Sequence, residues 1–230
     1  MKRHFTGLAC SLCLVLSGAL HSSSASAAGW VEVGDAGDLV ATAQVTVGPP
    51  PLDFISGTIF TSLDKDMYEI QITSSATFSA TVALGGSLLD TQLFLFDAAG
   101  SGVYANDDPV AANFLSILPS GHASGPVAVG TYYLVVSGPD NDPTSLGGEI
   151  FDDVNPGVQL AVLAGAIDGW TPTFSVFGGT YSIDLTGAEF ANSTARVPAL
   201  GIWGLGLLAA VLGIGGSWFL RSRAARRASP

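Results

Sequence analysis

Between its two ends the chain lacks most of the residues from which catalytic sites and thiolate metal sites are built. It has 230 residues but only two cysteines and three histidines, and Cys10, Cys13, His4 and His21 all precede residue 27. The remainder of the chain therefore holds no cysteine, which excludes disulfides and zinc–thiolate sites there. The single histidine left, His122, lies in a glycine- and serine-rich segment typical of a loop. One loop histidine gives little basis for the nucleophile–base pair of a hydrolase.

Positive charge is almost absent from the middle of the chain. All 19 acidic residues lie between Glu32 and Glu189, and the only basic residues within or just after this stretch are Lys65 and Arg196, which leaves a net charge of −17. Such a surface repels nucleic acid and anionic lipid, so we expect no nucleic-acid partner. It suits solubility, cation binding or a basic partner.

The first 27 residues have the layout of a secretory signal peptide. Lys2 and Arg3 precede an apolar run at Leu8–Leu20, and the small residues Ala25-Ser26-Ala27 fit an A-x-A cleavage site. We therefore predict export, with cleavage after residue 27 or 28. The alternative is an uncleaved membrane anchor.

The other end of the chain predicts a transmembrane helix. Ala199–Leu220 is uncharged over 22 residues, enough at about 1.5 Å per residue to cross the roughly 30 Å core of a bilayer. Trp203 and Trp218 lie near its ends, where aromatic rings favour the interface. Four arginines follow in residues 221–230, which predicts a cytoplasmic tail and a body outside. A buried soluble helix is the alternative.

A motif at the start of this apolar run is similar to a known sorting signal. The segment Val197-Pro198-Ala199-Leu200-Gly201-Ile202-Trp203-Gly204 resembles the Ile-Pro-Thr-Leu-Ser-Glu-Trp-Gly signature of bacterial C-terminal sorting signals. The matching residues are Pro198, Leu200, Trp203 and Gly204, with Val197 as a conservative replacement. The resemblance implies a membrane-embedded, exosortase-like processing enzyme as a partner. The polar residues 191–195 predict a short stalk before the membrane, so that 191–198 hold the stalk and the start of the sorting motif. The departures at Ala199, Gly201 and Ile202 leave open whether the tail is processed, and so released, or only anchors the protein.

Residues 28–190 predict one all-β domain. Short runs rich in Val, Ile, Thr, Phe and Tyr alternate with turn residues. The candidate strands are Val40–Val47, Phe54–Thr61, Met67–Thr73, Thr77–Leu84, Thr91–Asp97, Phe114–Leu118, Thr131–Ser137, Gln159–Leu163 and Thr180–Leu185. This spacing favours a β-sandwich of jelly-roll type, with a closed barrel as the alternative.

Two of these runs also predict where their side chains point. In Met67–Thr73, the apolar residues Tyr68, Ile70 and Ile72 alternate with wetter ones, which predicts one inward face. Residues 93–96 are apolar on both faces, as expected of a central strand. Pro139–Gly157 is acidic and rich in turn residues, and we predict a long loop there.

Four motifs in order are similar to the bacterial pre-peptidase C-terminal domain. They are Asp64-Lys65-Asp66-Met67-Tyr68, Leu89-Asp90-Thr91-Gln92-Leu93-Phe94-Leu95-Phe96-Asp97, Asn106-Asp107-Asp108 and Gly130-Thr131-Tyr132-Tyr133. The resemblance covers roughly residues 54–137. It implies a jelly-roll β-sandwich that serves as an accessory module of secreted proteases and other surface proteins. It does not account for the acidic segment that follows.

The acidic residues predict calcium as the cofactor, because calcium takes about six to eight oxygen ligands from carboxylates, amides and carbonyls. The first candidate set comprises Asp64, Asp66, Asp90, Asp97, Asn106, Asp107 and Asp108, which strand ends would bring together. A second set lies in the acidic segment and comprises Asp140, Asn141, Asp142, Glu149, Asp152 and Asp153. Neither has the spacing of an EF-hand. Turn capping is the alternative for Asp64, Asp66 and Asp90.

The sequence as a whole predicts a non-enzymatic module displayed at the cell surface or in the cell envelope. Its expected role is adhesion or the organisation of matrix or envelope, with an extracellular protein or polysaccharide as its ligand. One alternative is a secreted hydrolase that uses carboxylates of the body. Another is an accessory subunit of a separately encoded secreted protease.

Overall fold

The computed structural model describes residues 27–87, 90–171 and 178–193. The predicted sorting motif and membrane-spanning segment lie outside these ranges, as does the predicted signal peptide up to residue 26. The described residues form strands and turns without any helix. None of them belongs to a helix long and apolar enough to cross a membrane.

The described part of the chain contains many short strands and a few long ones. In chain order they are β1 (Gly29–Val31), β2 (Gln44–Val45), β3 (Val47–Gly48), β4 (Phe54–Ile59), β5 (Lys65–Ile72), β6 (Ser79–Val82), β7 (Gln92–Asp97), β8 (Gly102–Asn106), β9 (Ile117–Leu118), β10 (Gly130–Ser137), β11 (Pro143–Ser145), β12 (Gly148–Glu149), β13 (Val158–Leu160), β14 (Gly169–Trp170), β15 (Gly179–Thr186), β16 (Ala188–Phe190) and β17 (Asn192–Ser193).

Two large sheets carry most of the fold. One has five strands in the order β1-β4-β15-β6-β9, and the other has the order β13-β8-β7-β10-β5-β16, with β2 also paired to β5. Most pairs are antiparallel, but β1 runs parallel to β4 and β2 runs parallel to β5. Two small sheets, β12-β11-β14 and β17-β3, complete the described fold. The large sheets share no strand pairing within the described residues, unlike the walls of a closed barrel.

The first hydrophobic core lies between the two large sheets. Ile55 and Ile183 come from the five-stranded sheet, Ile70 and Leu95 from the seven-stranded sheet, and all four side chains are fully buried in one cluster. Apolar side chains from two facing sheets make the sandwich arrangement. The all-β, sandwich-like fold predicted from the sequence is therefore confirmed.

The two patterned strands lie as their sequences predict. Tyr68, Ile70 and Ile72 of β5 point into the first core. In β7, Leu93 and Leu95 enter the same core, while Phe94 and Phe96 enter a second core on the opposite face of the sheet. β7 lies between β8 and β10, so the prediction of a central strand is confirmed.

The second core corrects the prediction of a long loop at Pro139–Gly157. That segment forms the hairpin β11–β12 and then supplies Ile150 and Phe151, which cover the outer face of the seven-stranded sheet. The ring centroid of Phe94 lies 5.7 Å from that of Phe151 and 5.6 Å from that of Trp170. β11 and β12 are only three and two residues long, too short to show an alternation of apolar and polar residues in the sequence.

Other short strands were also absent from the sequence prediction. Every predicted strand contains at least part of an observed one, although Val40–Val47 holds only β2 and the first residue of β3. The strands that the prediction omitted outside the acidic segment are β1, β8, β14, β16 and β17. Each has five residues or fewer; β8 forms a hairpin with the preceding strand β7, and the other four pair with strands more distant in the chain.

Candidate metal sites at one end of the seven-stranded sheet

The strand register brings most of the predicted ligands to one end of the seven-stranded sheet. Lys65 pairs with Ser137, Ser137 pairs with Gln92, and the neighbouring Leu93 pairs with Asn106. The acidic residues that flank these positions therefore share one edge. However, β10 lies between β5 and β7, and adjacent strands are about 4.8 Å apart, which puts about 10 Å between the two strands. The predicted set accordingly divides into two clusters.

The Asp66 cluster consists of Glu32, Asp35 and Asp66, which offer carboxylate oxygens within 4.8 Å of one another. Asp66 is fully buried, with an exposed fraction of 0%. Its Oδ2 accepts a 2.5 Å hydrogen bond from the hydroxyl of Tyr181, which lies 2.5 Å from the hydroxyl of Tyr68. Its Oδ1 is buried without a partner, and so is Oε1 of Glu32. Orphaned buried carboxylate oxygens are rare because each costs free energy.

Glu32 reaches this cluster because β1 pairs in parallel with β4. The backbone amide of Thr58 on β4 donates a 2.8 Å hydrogen bond to Oε2 of Glu32. Gly57 next to it packs against the same groups, since a Cβ there would lie 2.4 Å from the hydroxyl of Tyr181 and 2.5 Å from Oε2 of Glu32. The close approach of Glu32 to Tyr181 therefore requires glycine at this position.

Burial makes the Asp66 cluster unfavourable for negative charge. The pKa of Asp66 is raised to about 8, mainly by burial; the hydrogen bond from Tyr181 opposes this rise, and the nearby charges of Glu32 and Asp64 contribute to it. Burial also raises the pKa of Glu32 and of Asp64. Asp64 lies beside the cluster, where its Oδ2 accepts a 2.6 Å hydrogen bond from the amide of Phe60, as a turn cap does.

The Asp90 cluster consists of Asp90, Asp107 and Asp108, which also offer oxygens within 4.8 Å of one another. All three are partly buried, and Oδ1 of Asp107 and of Asp108 lacks a hydrogen-bond partner. The pKa of Asp107 is raised to about 7, first by burial and then by the charges of Asp108 and Asp90. Burial raises the pKa of Asp90 as well. Asn155 donates a 2.7 Å hydrogen bond to the second oxygen of Asp107.

The other two residues of the first predicted set support the backbone. Oδ1 of Asp97 accepts 2.9 Å hydrogen bonds from the amides of Ala99 and Ser101, so this side chain caps the turn between β7 and β8. Asn106 is buried; its amide oxygen accepts from the amide of Ile117 at 2.8 Å, and its amide nitrogen donates to a backbone carbonyl at 2.6 Å.

The second predicted set does not form a cluster of its own among the described residues. Asp152 accepts a 2.7 Å hydrogen bond from the amide of Leu160, which fixes the edge of β13. Asp142 accepts from Gln92 at 3.3 Å and is close enough to raise the pKa of Asp107. This end of the acidic segment therefore adds negative charge beside the Asp90 cluster.

Sequence reasoning missed Glu32 and Asp35. They lie in a short stretch, Glu32-Val33-Gly34-Asp35, that shows no motif on its own. Their position depends on the parallel pairing of β1 with β4, which joins residues 25 positions apart. The only feature of the sequence that points to these two ligands is the group of acidic residues and glycine directly after β1.

The donor set of the Asp66 cluster fits a hard cation. It presents carboxylate oxygens and no nitrogen or sulfur ligand, which favours calcium over zinc or copper. Three carboxylates supply only part of the oxygen shell that calcium takes, so backbone carbonyls or water would complete it.

His122 lies in a loop, as predicted. It is exposed, its Nδ1 accepts a 3.2 Å hydrogen bond from the amide of Ser124, and its ring stacks on Tyr104 with a centroid distance of 6.3 Å. These contacts place the ring on the surface of the loop and engage one of its two nitrogens with the backbone.

The comparisons with known proteins identify no family for this chain. No protein-family model matches the chain, and no curated protein matches it either. The resemblances to the pre-peptidase C-terminal domain and to the sorting signal therefore stay predictions from the sequence.

Proposed function

We propose that this chain is an exported, non-enzymatic surface module whose jelly-roll β-sandwich is stabilised by calcium. The export signal, the sorting-like tail and the four ordered motifs support display at the cell surface or in the envelope. The C-terminal segment anchors the module in the membrane until an exosortase-like enzyme cuts it. A binding role in adhesion or matrix organisation fits this location, with an extracellular protein or polysaccharide as the ligand.

One observation carries the calcium part of the proposal. Asp66 is completely buried, one of its carboxylate oxygens has no hydrogen-bond partner, and Glu32 and Asp35 offer carboxylate oxygens within 4.8 Å of an oxygen of Asp66. A buried carboxylate that is neither paired nor metal-bound loses its charge, because desolvation penalises the ionised form. A bound calcium ion supplies the compensating charge and uses the free oxygens.

The positions of the ligands explain what such an ion does for the fold. Glu32 and Asp35 belong to the N-terminal segment that follows β1, whereas Asp66 is the second residue of the long strand β5 in the other sheet. Tyr181, which donates to Asp66, lies on β15 of the five-stranded sheet. Calcium at this point ties the N-terminal segment to both sheets. Extracellular calcium thereby favours the folded module.

The test is thermal unfolding of the purified full chain in detergent, with calcium or with a chelator. A ligand that binds only the folded state adds about 2.7 kcal/mol at a concentration of 100 times Kd, which shifts the midpoint by several degrees. Asp66→Asn should abolish this shift. Asp184→Asn, which removes an exposed carboxylate on β15, should retain it. If Asp66→Asn kept the same calcium-dependent shift as Asp184→Asn, Asp66 would not be a ligand of the site.

A secreted hydrolase is the second candidate function, favoured by the Asp90 cluster. Asp107 has a pKa of about 7 beside two other carboxylates, which suits a general acid near neutral pH. Hydrolysis of a polysaccharide or peptide by the wild type, lost in Asp107→Asn, would support it. An accessory subunit of a separately encoded protease would instead co-purify with that protease and show no activity alone.

A further inference from the structure

The packed part of the described chain begins abruptly at Ala28. This residue packs against the first core, whereas Ala27 is exposed. Asp53, in the segment just before β4, makes two hydrogen bonds with Ala28. The nitrogen of Ala28 lies 2.8 Å from Oδ2 of Asp53, and the backbone amide of Asp53 donates to the carbonyl of Ala28 at 2.7 Å.

The next two residues are fixed just as closely. A Cβ at Gly29 would lie 2.2 Å from the ring of Phe54, so only glycine lets the chain pass this close. The indole nitrogen of Trp30 donates a 2.7 Å hydrogen bond to the side-chain oxygen of Gln44. Residues 28–30 are therefore held by contacts with Asp53, Phe54 and Gln44, whereas residue 27 is exposed.

We propose that the mature chain begins at Ala28 and that its free α-ammonium group pairs with the carboxylate of Asp53. This inference rests on the proposed export of the chain. Water attacks the carbonyl carbon of Ala27 and the amide bond to Ala28 breaks. Ala27 keeps the new carboxylate, and the nitrogen of Ala28 takes up the protons that make it an ammonium group. Ala25 and Ala27 supply the small side chains that signal peptidase requires around this bond.

Processing at this bond strengthens a contact that already has the right geometry. The neutral amide of the precursor donates one hydrogen bond to the Asp53 carboxylate. An ammonium group in its place keeps that bond and adds an opposite charge to the pair. Asp53 is itself anchored, because its carbonyl accepts a 2.8 Å hydrogen bond from the amide of Leu185 on β15. Cleavage one residue later would remove Ala28, the residue that Asp53 holds.

The first experiment determines the N-terminus of the full chain after export in a bacterial host and purification from membranes. Mass spectrometry should find Ala28 as the first residue. A processed chain with any other first residue overturns this inference and leaves the proposed export intact. An unprocessed chain overturns both.

The second experiment tests the pairing with Asp53. A small amine-acylating reagent at neutral pH should modify the α-amino group of the folded mature protein several-fold more slowly than that of the unfolded protein. Asp53→Asn should remove most of this protection, and Asp184→Asn should leave it unchanged. Equal rates in the folded and unfolded wild type overturn the pairing, even where Asp53→Asn fails to fold.

Discussion

Replacement of Asp66 by asparagine should stabilise the protein in a chelator and destroy its response to calcium. Asparagine keeps the shape of the side chain and can still accept the hydrogen bond from Tyr181, but it cannot ionise. In the wild type, burial raises the pKa of Asp66 from 3.8 to about 8. Without calcium, the folded protein therefore holds a proton that the unfolded chain has released.

The sign and size of the effect follow from this difference in pKa. Stability from the protonated carboxyl is complete below about pH 4 and is lost as the pH rises through about 8. With about 1.4 kcal/mol for each pKa unit, the loss between pH 5 and pH 8 is about 3–4 kcal/mol for this one group. That corresponds to a decrease in melting temperature of about 10 °C for a chain of this size.

The assay is urea or thermal unfolding of the full chain in chelator at several pH values. The wild type should lose stability steeply between pH 5 and pH 8, and Asp66→Asn should lose about 3–4 kcal/mol less over the same interval. Glu32 and Asp64, whose pKa values are also raised, act in the same direction in both proteins, so the comparison measures the ionisation of Asp66 together with its coupling to these two carboxylates. Parallel pH profiles for the two proteins would refute the buried, unpartnered state of this carboxylate.

Three further variants test other parts of the account. The double change Asp107→Asn, Asp108→Asn should leave the calcium response of the Asp66 cluster intact and remove any second binding step in calorimetry; loss of the whole response would place the site in the Asp90 cluster. Gly57→Ala should cost about 1–3 kcal/mol by urea unfolding, because its methyl group meets the hydroxyl of Tyr181; a neutral result would mean that this contact relaxes freely. Phe94→Ala should cost about 3–5 kcal/mol, because it opens the second core; a loss below about 1 kcal/mol would show that this core adds little.

The long, patterned strands could be predicted from the sequence because their side chains report both faces of a sheet. β5 alternates between apolar and wetter residues, so its inward face at Tyr68, Ile70 and Ile72 follows from periodicity alone. β7 is apolar on both faces, which requires cover on both sides. From this pattern we predicted only that the strand is central, and the second core around Phe94 and Phe96 was not predicted.

The elements that depend on distant pairing could not be predicted. The cover for β7 comes from residues 150–151, some 55 positions further along, through strands too short to have a period. Glu32 enters the Asp66 cluster only because β1 pairs in parallel with β4. The prediction that strand ends gather acidic residues was sound in principle. It did not anticipate that β10 would divide them into two clusters.

The most direct test of the central claim is the calcium content and stability of the mature full chain. Calcium bound per chain should be measured by equilibrium dialysis against millimolar calcium, and thermal unfolding should be recorded for the same sample with and without chelator. The account predicts bound calcium and a midpoint several degrees higher than in chelator, with both lost in Asp66→Asn and retained in Asp184→Asn. No bound calcium, together with unfolding curves that coincide in calcium and chelator, would contradict it.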